Sequence, residues 1–204
     1  MLGGIFCDLE KAFDCVSHEV LLNKLKFYGI IDIKNNLYRS YLQDRFQRTA
    51  IMNGLDNNKV SSEWAIISNG VPQGSVLGPL LFLVYINDLP MILQPNGVPL
   101  LFADDESVLI SHANPIQFKN KINAVYRTLD NWFKKNLLSL NTVKTQYINF
   151  ITKNNKLIQR EIGDISEIIT SAKQVEFLGL TITTTLTWET YTDSIKTNCA
   201  QPAI

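Results

Sequence analysis

The chain has 204 residues, of which 46% are hydrophobic and 19% are charged, the composition of a globular protein with one domain or slightly more. Nineteen basic and nineteen acidic residues cancel, and this balance excludes a nucleic-acid binder that relies on overall positive charge. The longest apolar run, residues 80–86, is much shorter than the roughly 20 residues that cross a bilayer, so we expect no membrane partner.

The first predicted element is a short buried strand, residues 3–8 (GGIFCD), which ends at Asp8. Ser17 is suited to cap a helix over about 18–28, and Gly29 is suited to end it. The apolar face of this helix is formed by Val20, Leu21, Leu25 and Tyr28.

A second amphipathic helix follows, because Ile33, Leu37 and Tyr41 are spaced four residues apart. Residues 46–53 and 59–67 are strand-like and are separated by asparagine- and glycine-rich sequence, which predicts a hairpin. We therefore expect two helices and then a β-ribbon in the first third of the chain.

The sequence PQGS at residues 72–75 predicts a turn into a helix that tolerates Pro79 in its first turn and ends near residues 88–90. Asn114 and Pro115 begin the most regular helix of the chain. Its core face is formed by Ile122, Val125, Leu129, Trp132 and Phe133. Strand-like segments then recur at 146–152, 157–162 and 174–182. This order of elements predicts an α+β domain with helices packed on one face of a mostly antiparallel sheet.

Two adjacent acids, Asp104 and Asp105, interrupt an otherwise apolar stretch. Ionised acids beside an apolar core carry a large desolvation penalty, so they are paired, solvated at the tip of a hairpin, or bound to a cation. Asp8 also ends a strand, and two adjacent strands would bring Asp8 and Asp104 together. Hard oxygen ligands of this kind favour Mg²⁺, and a pair of such ions is the arrangement that polymerases and nucleases use.

Five segments carry a resemblance to a known family. They are DLEKAFD at residues 8–14, NGVPQGSVLGPLLF at 69–82, FADD at 102–105, LNTVKT at 140–145 and FLG at 177–179. In this order they resemble the successive motifs of reverse transcriptases of non-LTR (LINE-type, jockey-like) retrotransposons, and the resemblance covers essentially the whole chain. It implies the palm of a right-hand polymerase, with truncated fingers and thumb.

The resemblance implies a two-metal site. Asp8 and Asp104 would hold two Mg²⁺ ions, for which Mn²⁺ can substitute, with Asp105 beside them and the Leu9 carbonyl as an extra ligand. Lys144 is similar to the lysine that protonates the leaving pyrophosphate, although an exposed lysine after a helix is also ordinary.

The resemblance also assigns residues to substrates. Phe13 is similar to the bulky residue that blocks a ribose 2′-hydroxyl, the alternative being core packing. Gln73 and Gly74 resemble the turn beside the incoming base pair and template, where glycine permits close backbone approach; the alternative is turn chemistry at a helix start. The residues that resemble the primer grip, or alternatively an apolar strand ending in glycine, are Phe177, Leu178 and Gly179.

The implied function is RNA-directed DNA synthesis from an RNA template, a DNA primer and dNTPs. Residues 1–182 would form the palm, with a partial fingers insertion at about 30–70, and residues 183–204 would begin a truncated thumb. The odd cysteine count and the lack of a signal peptide favour the nucleus or cytoplasm.

The sequence also departs from the family pattern. Glu106 stands where the family carries a small hydroxyl residue, so we expect a fourth acid near the metal ions. Arg45 and Arg48 would contact template phosphates or lie on a solvated hairpin edge. One alternative function is an inactive remnant that binds nucleic acid or protein without catalysis. A metal-dependent phosphohydrolase is a second, but no histidine motif supplies its general base.

Overall fold

The computed structural model describes residues 1–52, 59–151 and 169–200. The chain divides into two compact units. The first unit joins Met1–Glu10 to Asp88–Ile204, and the second unit is Lys11–Asn87.

The described strands and helices alternate along the chain. The strands are β1 (Leu2–Asp8), β2 (Arg45–Gln47), β3 (Ala50–Met52), β4 (Lys59–Ser61), β5 (Ala65–Ile67), β6 (Val98–Phe102), β7 (Asp105–Ser111), β8 (Gln146–Phe150), β9 (Thr170–Ala172), β10 (Gln174–Phe177) and β11 (Leu180–Thr183). The helices are α1 (His18–Phe27), α2 (Asp32–Leu42), α3 (Leu77–Ile86), α4 (Leu89–Leu93), α5 (Pro115–Lys135) and α6 (Glu189–Ala200).

A five-stranded sheet organises the first unit, with strand order β6-β7-β1-β8-β9. Its pairings are antiparallel except that between β8 and β9, which confirms the predicted mostly antiparallel sheet. Successive side chains of a strand point to opposite faces. Ile5 and Cys7 of β1 therefore lie on one face of the sheet, and Phe6 and Asp8 lie on the other.

Helix α5 begins as the sequence predicts. The Asn114 side chain accepts hydrogen bonds from the backbone N–H groups of Ile116 (2.9 Å) and Gln117 (3.1 Å), which caps the helix. Its buried residues include all five of the predicted core face and add Phe118 and Tyr126. The helix packs against β7. This apolar stripe therefore forms the core under the central strands.

The predicted strand over 174–182 is wrong in one respect, because this segment forms two strands. β10 and β11 pair as an antiparallel hairpin. Its turn is Leu178 and Gly179, both at positive φ (51° and 75°). The hairpin packs through Val175 on Phe6 and Ile148 of the sheet. Gly179 is the turn signal in this segment, but a strand that ends in glycine fits the same residues, so the sequence alone does not separate the two. The predicted strand over 157–162 lies outside the described residues.

Helix α1 of the second unit matches its predicted caps. The Ser17 hydroxyl accepts a hydrogen bond from the Val20 N–H at 3.4 Å, and Gly29 follows the helix at φ 85°. The predicted inner face is wrong at Tyr28, which is exposed, whereas Leu22 is buried.

The predicted apolar face of α2 is also wrong. Ile33 and Leu37 are exposed, and the residues that the helix buries are Asn35 and Leu42. The Asn35 amide donates hydrogen bonds to the carbonyls of Leu22 (3.1 Å) and of residue 30 (3.2 Å). A satisfied amide is therefore the anchor that sets the buried side of this helix, and a search for apolar spacing misses it.

The second unit also contains the predicted hairpin, which we call the ribbon. It consists of residues 45–52 paired with residues 59–67, through the antiparallel pairs β2–β5 and β3–β4. The turn predicted between its strands lies outside the described residues. None of the described helices combines the length and the apolar character needed to cross a membrane.

Candidate active site

Two paired strands of the first unit bring the predicted acids together at one end of the strand pair. β1 pairs with β7 so that Asp8 lies directly opposite Asp105. The neighbouring pair, β6 and β7, is joined by a turn of Ala103 and Asp104, with Ala103 at φ 54°. Directly opposed residues of antiparallel strands have side chains on the same face. Asp8 and Asp105 therefore share one face, and Asp104 stands at the hairpin tip beside them.

The charges of these acids act on one another. The pKa of Asp105 is raised by partial burial and then by the negative charges of Asp104 and Asp8. Within the described residues, no three acidic, histidine or cysteine side chains are close enough together to form a ready-made ion-binding group. The donor set nevertheless fits a divalent cation. Carboxylate oxygens are the ligands that Mg²⁺ and Mn²⁺ take, and a positive ion would relieve the mutual repulsion.

Lys144 lies next to Asp8. Its Nζ is 3.7 Å from Asp8 Oδ2, and the two side chains are 68% and 42% exposed. A surface ion pair of this kind contributes little stability. The loop that carries Lys144 is held by the Asn141 N–H, which donates to the Asp8 carbonyl at 2.8 Å, and by the Asn141 side chain, which accepts from the Lys144 N–H at 3.1 Å. Leu9, the predicted carbonyl ligand, forms a bridge with Leu140.

Glu106 follows the acid pair in the chain, but its side chain lies on the other face of the sheet. It is opposite Cys7, so strand alternation turns its side chain to the sheet face that Asp8 and Asp105 do not occupy. Glu106 is thus a fourth acid near Asp104 and Asp105, but its side chain does not share their side of the sheet. The residue is only 1% exposed, and neither carboxylate oxygen has a hydrogen-bond partner among the described residues. Burial, followed by the charges of Asp104 and Asp105, raises the pKa of Glu106 to about 8.

A cavity of about 580 Å³ adjoins the acids within the first unit. It is lined by Asp8, Asp105 and Lys144, and also by residues 174–179 of the β10–β11 hairpin. Phe177 packs edge-on against Phe6, with ring centroids 5.5 Å apart. The hairpin turn predicted to grip a primer therefore borders the same cavity as the carboxylates, and Leu178 at its tip is exposed.

The second unit holds the remaining predicted site residues. The Phe13 ring stacks on Phe82, with centroids 4.6 Å apart and planes at 23°. Gln73 is exposed, and its amide donates to Asp14 Oδ1 at 3.3 Å. Gly74 has φ 77°, and a Cβ placed there would meet no atom of the described residues within 4 Å. The backbone conformation, and not close approach within the protein itself, explains this glycine.

Sequence reasoning assigned no role to His18 or Gly70, whose contact joins the start of α1 to the motif segment 69–82. His18 Nε2 lies 2.8 Å from the Gly70 carbonyl, and the Gly70 N–H donates to the Val16 carbonyl at 2.7 Å. A Cβ on Gly70 would lie 2.9 Å from the Asp14 carbonyl, and its φ is 88°. Only glycine fits this contact. The Asn-Gly pair at residues 69–70 is a turn signal in the sequence, but the sequence does not show that this turn packs against residues 14–18.

Comparison with known proteins agrees with this geometry. The family model described as reverse transcriptase (RNA-dependent DNA polymerase) matches residues 3–182. A Drosophila melanogaster protein described as the probable RNA-directed DNA polymerase from transposon BS is 30% identical over 98% of this chain and 22% of its own length. The RNA-directed DNA polymerase from the mobile element jockey of the same species is 25% identical over 95% of the chain and 21% of that protein. The chain thus spans about a fifth of the length of these relatives.

Solved structures support the fold. Apo telomerase from Candida tropicalis superimposes with a TM-score of 0.60 and 16% identity, covering 91% of this chain and 35% of that one. At this identity the likeness shows the fold alone. Since the family match extends over most of the chain and the motif acids meet on paired strands, the chain belongs to the reverse transcriptase family.

Proposed function

We propose that this chain is the palm of an RNA-directed DNA polymerase, which joins a dNTP to the 3′-hydroxyl of a DNA primer on an RNA template. The observation that carries the proposal is the pairing of β1 with β7, which sets Asp8 opposite Asp105 next to the turn that holds Asp104. We assign residues 1–182 to the palm, with a fingers insertion at about 30–70, and residues 183–204 to the start of the thumb.

Asp8 and Asp104 would hold two Mg²⁺ or Mn²⁺ ions, with Asp105 and the Leu9 carbonyl as neighbouring donors. When bound, such ions lower the pKa of an attacking hydroxyl and neutralise charge on departing phosphates. The pKa of Asp105 is raised by burial and then by the charges of Asp104 and Asp8, and this supports the role because a cation would remove the repulsion between the carboxylates.

Lys144 would deliver a proton to the leaving pyrophosphate. Its ammonium lies 3.7 Å from Asp8 and is mostly exposed, so the side chain can turn from the carboxylate towards a phosphate in the same cavity. Replacement of its charge by a neutral group should slow the chemical step more than it weakens binding.

The substrate contacts follow from the remaining segments. The turn of Phe177, Leu178 and Gly179 would hold the primer strand, since it borders the cavity that the acids line. In the second unit, Phe13 would exclude a ribose 2′-hydroxyl, and its stacking on Phe82 would fix the ring for that task. The exposed amide of Gln73 and the open surface at Gly74 would adjoin the incoming base pair and the template.

The choice of RNA as template rests on the relatives. The matched insect proteins are named RNA-directed DNA polymerases, and a telomerase of the same fold, from Candida albicans, was solved with a fragment of telomeric RNA. We place the reaction in the nucleus or cytoplasm, where reduced thiols such as Cys7 and Cys15 persist.

Primer extension tests this proposal. The full chain is incubated with an RNA template, a labelled DNA primer, dNTPs and Mg²⁺ or Mn²⁺, alongside Asp104→Asn and the control Asp193→Asn, which changes an exposed acid of α6. We expect extension by the unaltered chain and by the control, and a loss of at least 100-fold in Asp104→Asn. Equal extension by Asp104→Asn would contradict the site. No extension by any of them would favour the inactive remnant.

A further inference from the structure

Asn141 connects the strand that carries Asp8 to the turn that carries Lys144. Its N–H donates to the Asp8 carbonyl at 2.8 Å, and its side-chain oxygen accepts from the Lys144 N–H at 3.1 Å. Its own carbonyl accepts from the Thr145 N–H at 2.8 Å. One half-buried residue therefore holds three points of the backbone around the acid and the lysine.

The segment that contains this asparagine is attached to the end of β1 by a short antiparallel bridge. Leu9 pairs with Leu140, and the Glu10 N–H donates to the Ser139 carbonyl at 2.9 Å. The second bond of the bridge is the one to the Asp8 carbonyl. Leu9 and Leu140 thus form a non-hydrogen-bonded pair, so the Leu9 carbonyl, the donor proposed for the cation, takes no part in the bridge.

The position of the lysine depends on its backbone. Residues 142–144 form a turn, in which Val143 and Lys144 are largely exposed. A lysine side chain is long and flexible, and a solvated ion pair contributes little. The 3.7 Å contact with Asp8 therefore does not hold the ammonium in place by itself. What limits the positions that the ammonium can reach is the turn, and Asn141 holds that turn.

The residue type suits this role. The side-chain oxygens of asparagine and aspartate accept hydrogen bonds from backbone N–H groups two or three residues further along the chain, whereas alanine offers no acceptor. Thr145 is completely buried and fixes the other end of the turn, where its hydroxyl lies 3.5 Å from the Asp8 N–H. Both ends of the turn are thus attached next to Asp8, and Lys144 lies between them.

We propose that Asn141 is a positioning residue for nucleotidyl transfer, which sets the Lys144 ammonium beside the Asp8 carboxylate in the cavity that both line. It acts through Lys144 and does not touch the substrate. The inference rests on the proposed function, in which Lys144 delivers a proton to the leaving pyrophosphate. Proton transfer requires a donor within hydrogen-bond reach, and a misplacement of about 1 Å can cost about 100-fold in rate.

A double-mutant cycle on primer extension separates positioning from general stability. Single-turnover rates are measured over a range of dNTP concentrations for the unaltered chain, Asn141→Ala, Lys144→Ala and the double variant. We expect Lys144→Ala to lose about 100-fold and Asn141→Ala about ten-fold in the rate at saturating dNTP, with the apparent dNTP affinity unchanged. The double variant should be no slower than Lys144→Ala. A merely structural role would lower the rate by the same factor in both backgrounds.

Two variants serve as matched controls. Asn141→Asp keeps an oxygen that accepts the Lys144 N–H, so it should restore most of the rate. Asn114→Ala removes an asparagine that also accepts backbone N–H groups, but at the start of α5, so it should lower the urea midpoint and leave the rate unchanged. Asn141→Gly, which also lacks the oxygen, replaces Asn141→Ala if that variant does not keep the far-ultraviolet spectrum of the unaltered chain.

A spectroscopic measurement reports on the lysine without any need for activity. Lysines are dimethylated with ¹³C-formaldehyde, and the Lys144 signal is identified as the one missing from Lys144→Arg. With EDTA present, Asn141→Ala should move this signal towards the common position of exposed lysines, whereas Asn114→Ala should leave it in place.

Two results would overturn the inference. One is an effect of Asn141→Ala that persists undiminished in the Lys144→Ala background, and the other is a rate and a Lys144 signal that Asn141→Ala leaves unchanged. If the unaltered chain extends no primer, the proposed function fails, and the Lys144 signal alone then supports or refutes the link through Asn141. Extension that is equally fast in Lys144→Ala would refute the role of the lysine, and the positioning role with it, while the polymerase proposal would stand.

Discussion

The buried carboxylate of Glu106 makes the stability of this protein depend on pH in a direction that can be stated in advance. In the folded chain its pKa is about 8, whereas the ordinary value is 4.5. Because the folded pKa is the higher one, the unfolded chain loses this proton first as pH rises. Below about pH 4.5, Glu106 is protonated in both states and does not affect stability. Between pH 4.5 and 8 the folded state becomes progressively less stable, because the unfolded chain can ionise Glu106 and the folded chain cannot do so easily. Above pH 8 the loss of stability is complete.

The size of the penalty follows from the two values. A pKa difference of about 3.5, at ~1.4 kcal/mol per pKa unit, corresponds to about 5 kcal/mol above pH 8 and about 3 kcal/mol at pH 7. Stabilities of whole domains are commonly 5–15 kcal/mol, so this single group matters. Glu106→Gln keeps the size of the side chain and removes its ionisation. Burial of the glutamine amide in this variant also costs free energy, but that cost does not change with pH.

The assay is urea unfolding of the unaltered chain and of Glu106→Gln at five pH values from 5 to 9, with EDTA present so that no divalent ion offsets the charges of Asp104 and Asp105. The difference in unfolding free energy between the two proteins should grow by about 4 kcal/mol in favour of Glu106→Gln over this range. Glu189→Gln, an exposed acid in the first turn of α6, should show no such trend. A constant difference between Glu106→Gln and the unaltered chain from pH 5 to 9 would refute the reasoning.

Two further predictions concern backbone positions and are measured as urea midpoints. Gly70→Ala should cost at least about 2 kcal/mol, because its Cβ would lie 2.9 Å from the Asp14 carbonyl at a φ of 88°. Gly29→Ala has a similar φ of 85° but no atom of the described residues within 4 Å, so it should cost only about 1 kcal/mol. Equal costs would show that the steric contact at Gly70 does not matter. Asn114→Ala should cost about 1 kcal/mol by removing two hydrogen bonds at the start of α5, while Asn114→Asp should keep most of the stability; a neutral Asn114→Ala would contradict the cap.

The sequence predicted elements whose signals are local. The strand that ends at Asp8, the caps at Ser17 and Asn114 and the apolar stripe of α5 each depend on neighbours within a few residues, and the structure confirms them. Convergence of the acids was a long-range prediction, and the pairing of Asp8 with Asp105 supports it. It followed from two sets of carboxylates that each adjoin an apolar strand: Asp8 ends β1, and Asp104 and Asp105 precede the apolar part of β7.

What the sequence could not give depends on register and on distant partners. The face on which Glu106 lies is fixed by its pairing with Cys7, almost a hundred residues earlier. The buried side of α2 is fixed by the hydrogen bonds of Asn35, which no hydrophobic pattern reveals. The close contact at Gly70 likewise requires the chain near Asp14. Each of these is a contact between distant segments of the chain, and local propensity does not specify which segments pair.

Binding of Mn²⁺, followed by electron paramagnetic resonance of the free ion, tests the central claim most directly. If the carboxylates at the ends of β1 and β7 share a cation, the unaltered chain will bind Mn²⁺ saturably. Asp8→Asn and Asp104→Asn will each weaken binding by at least ten-fold, and Asp193→Asn will not. Affinity that is unchanged in both Asp8→Asn and Asp104→Asn would contradict the account.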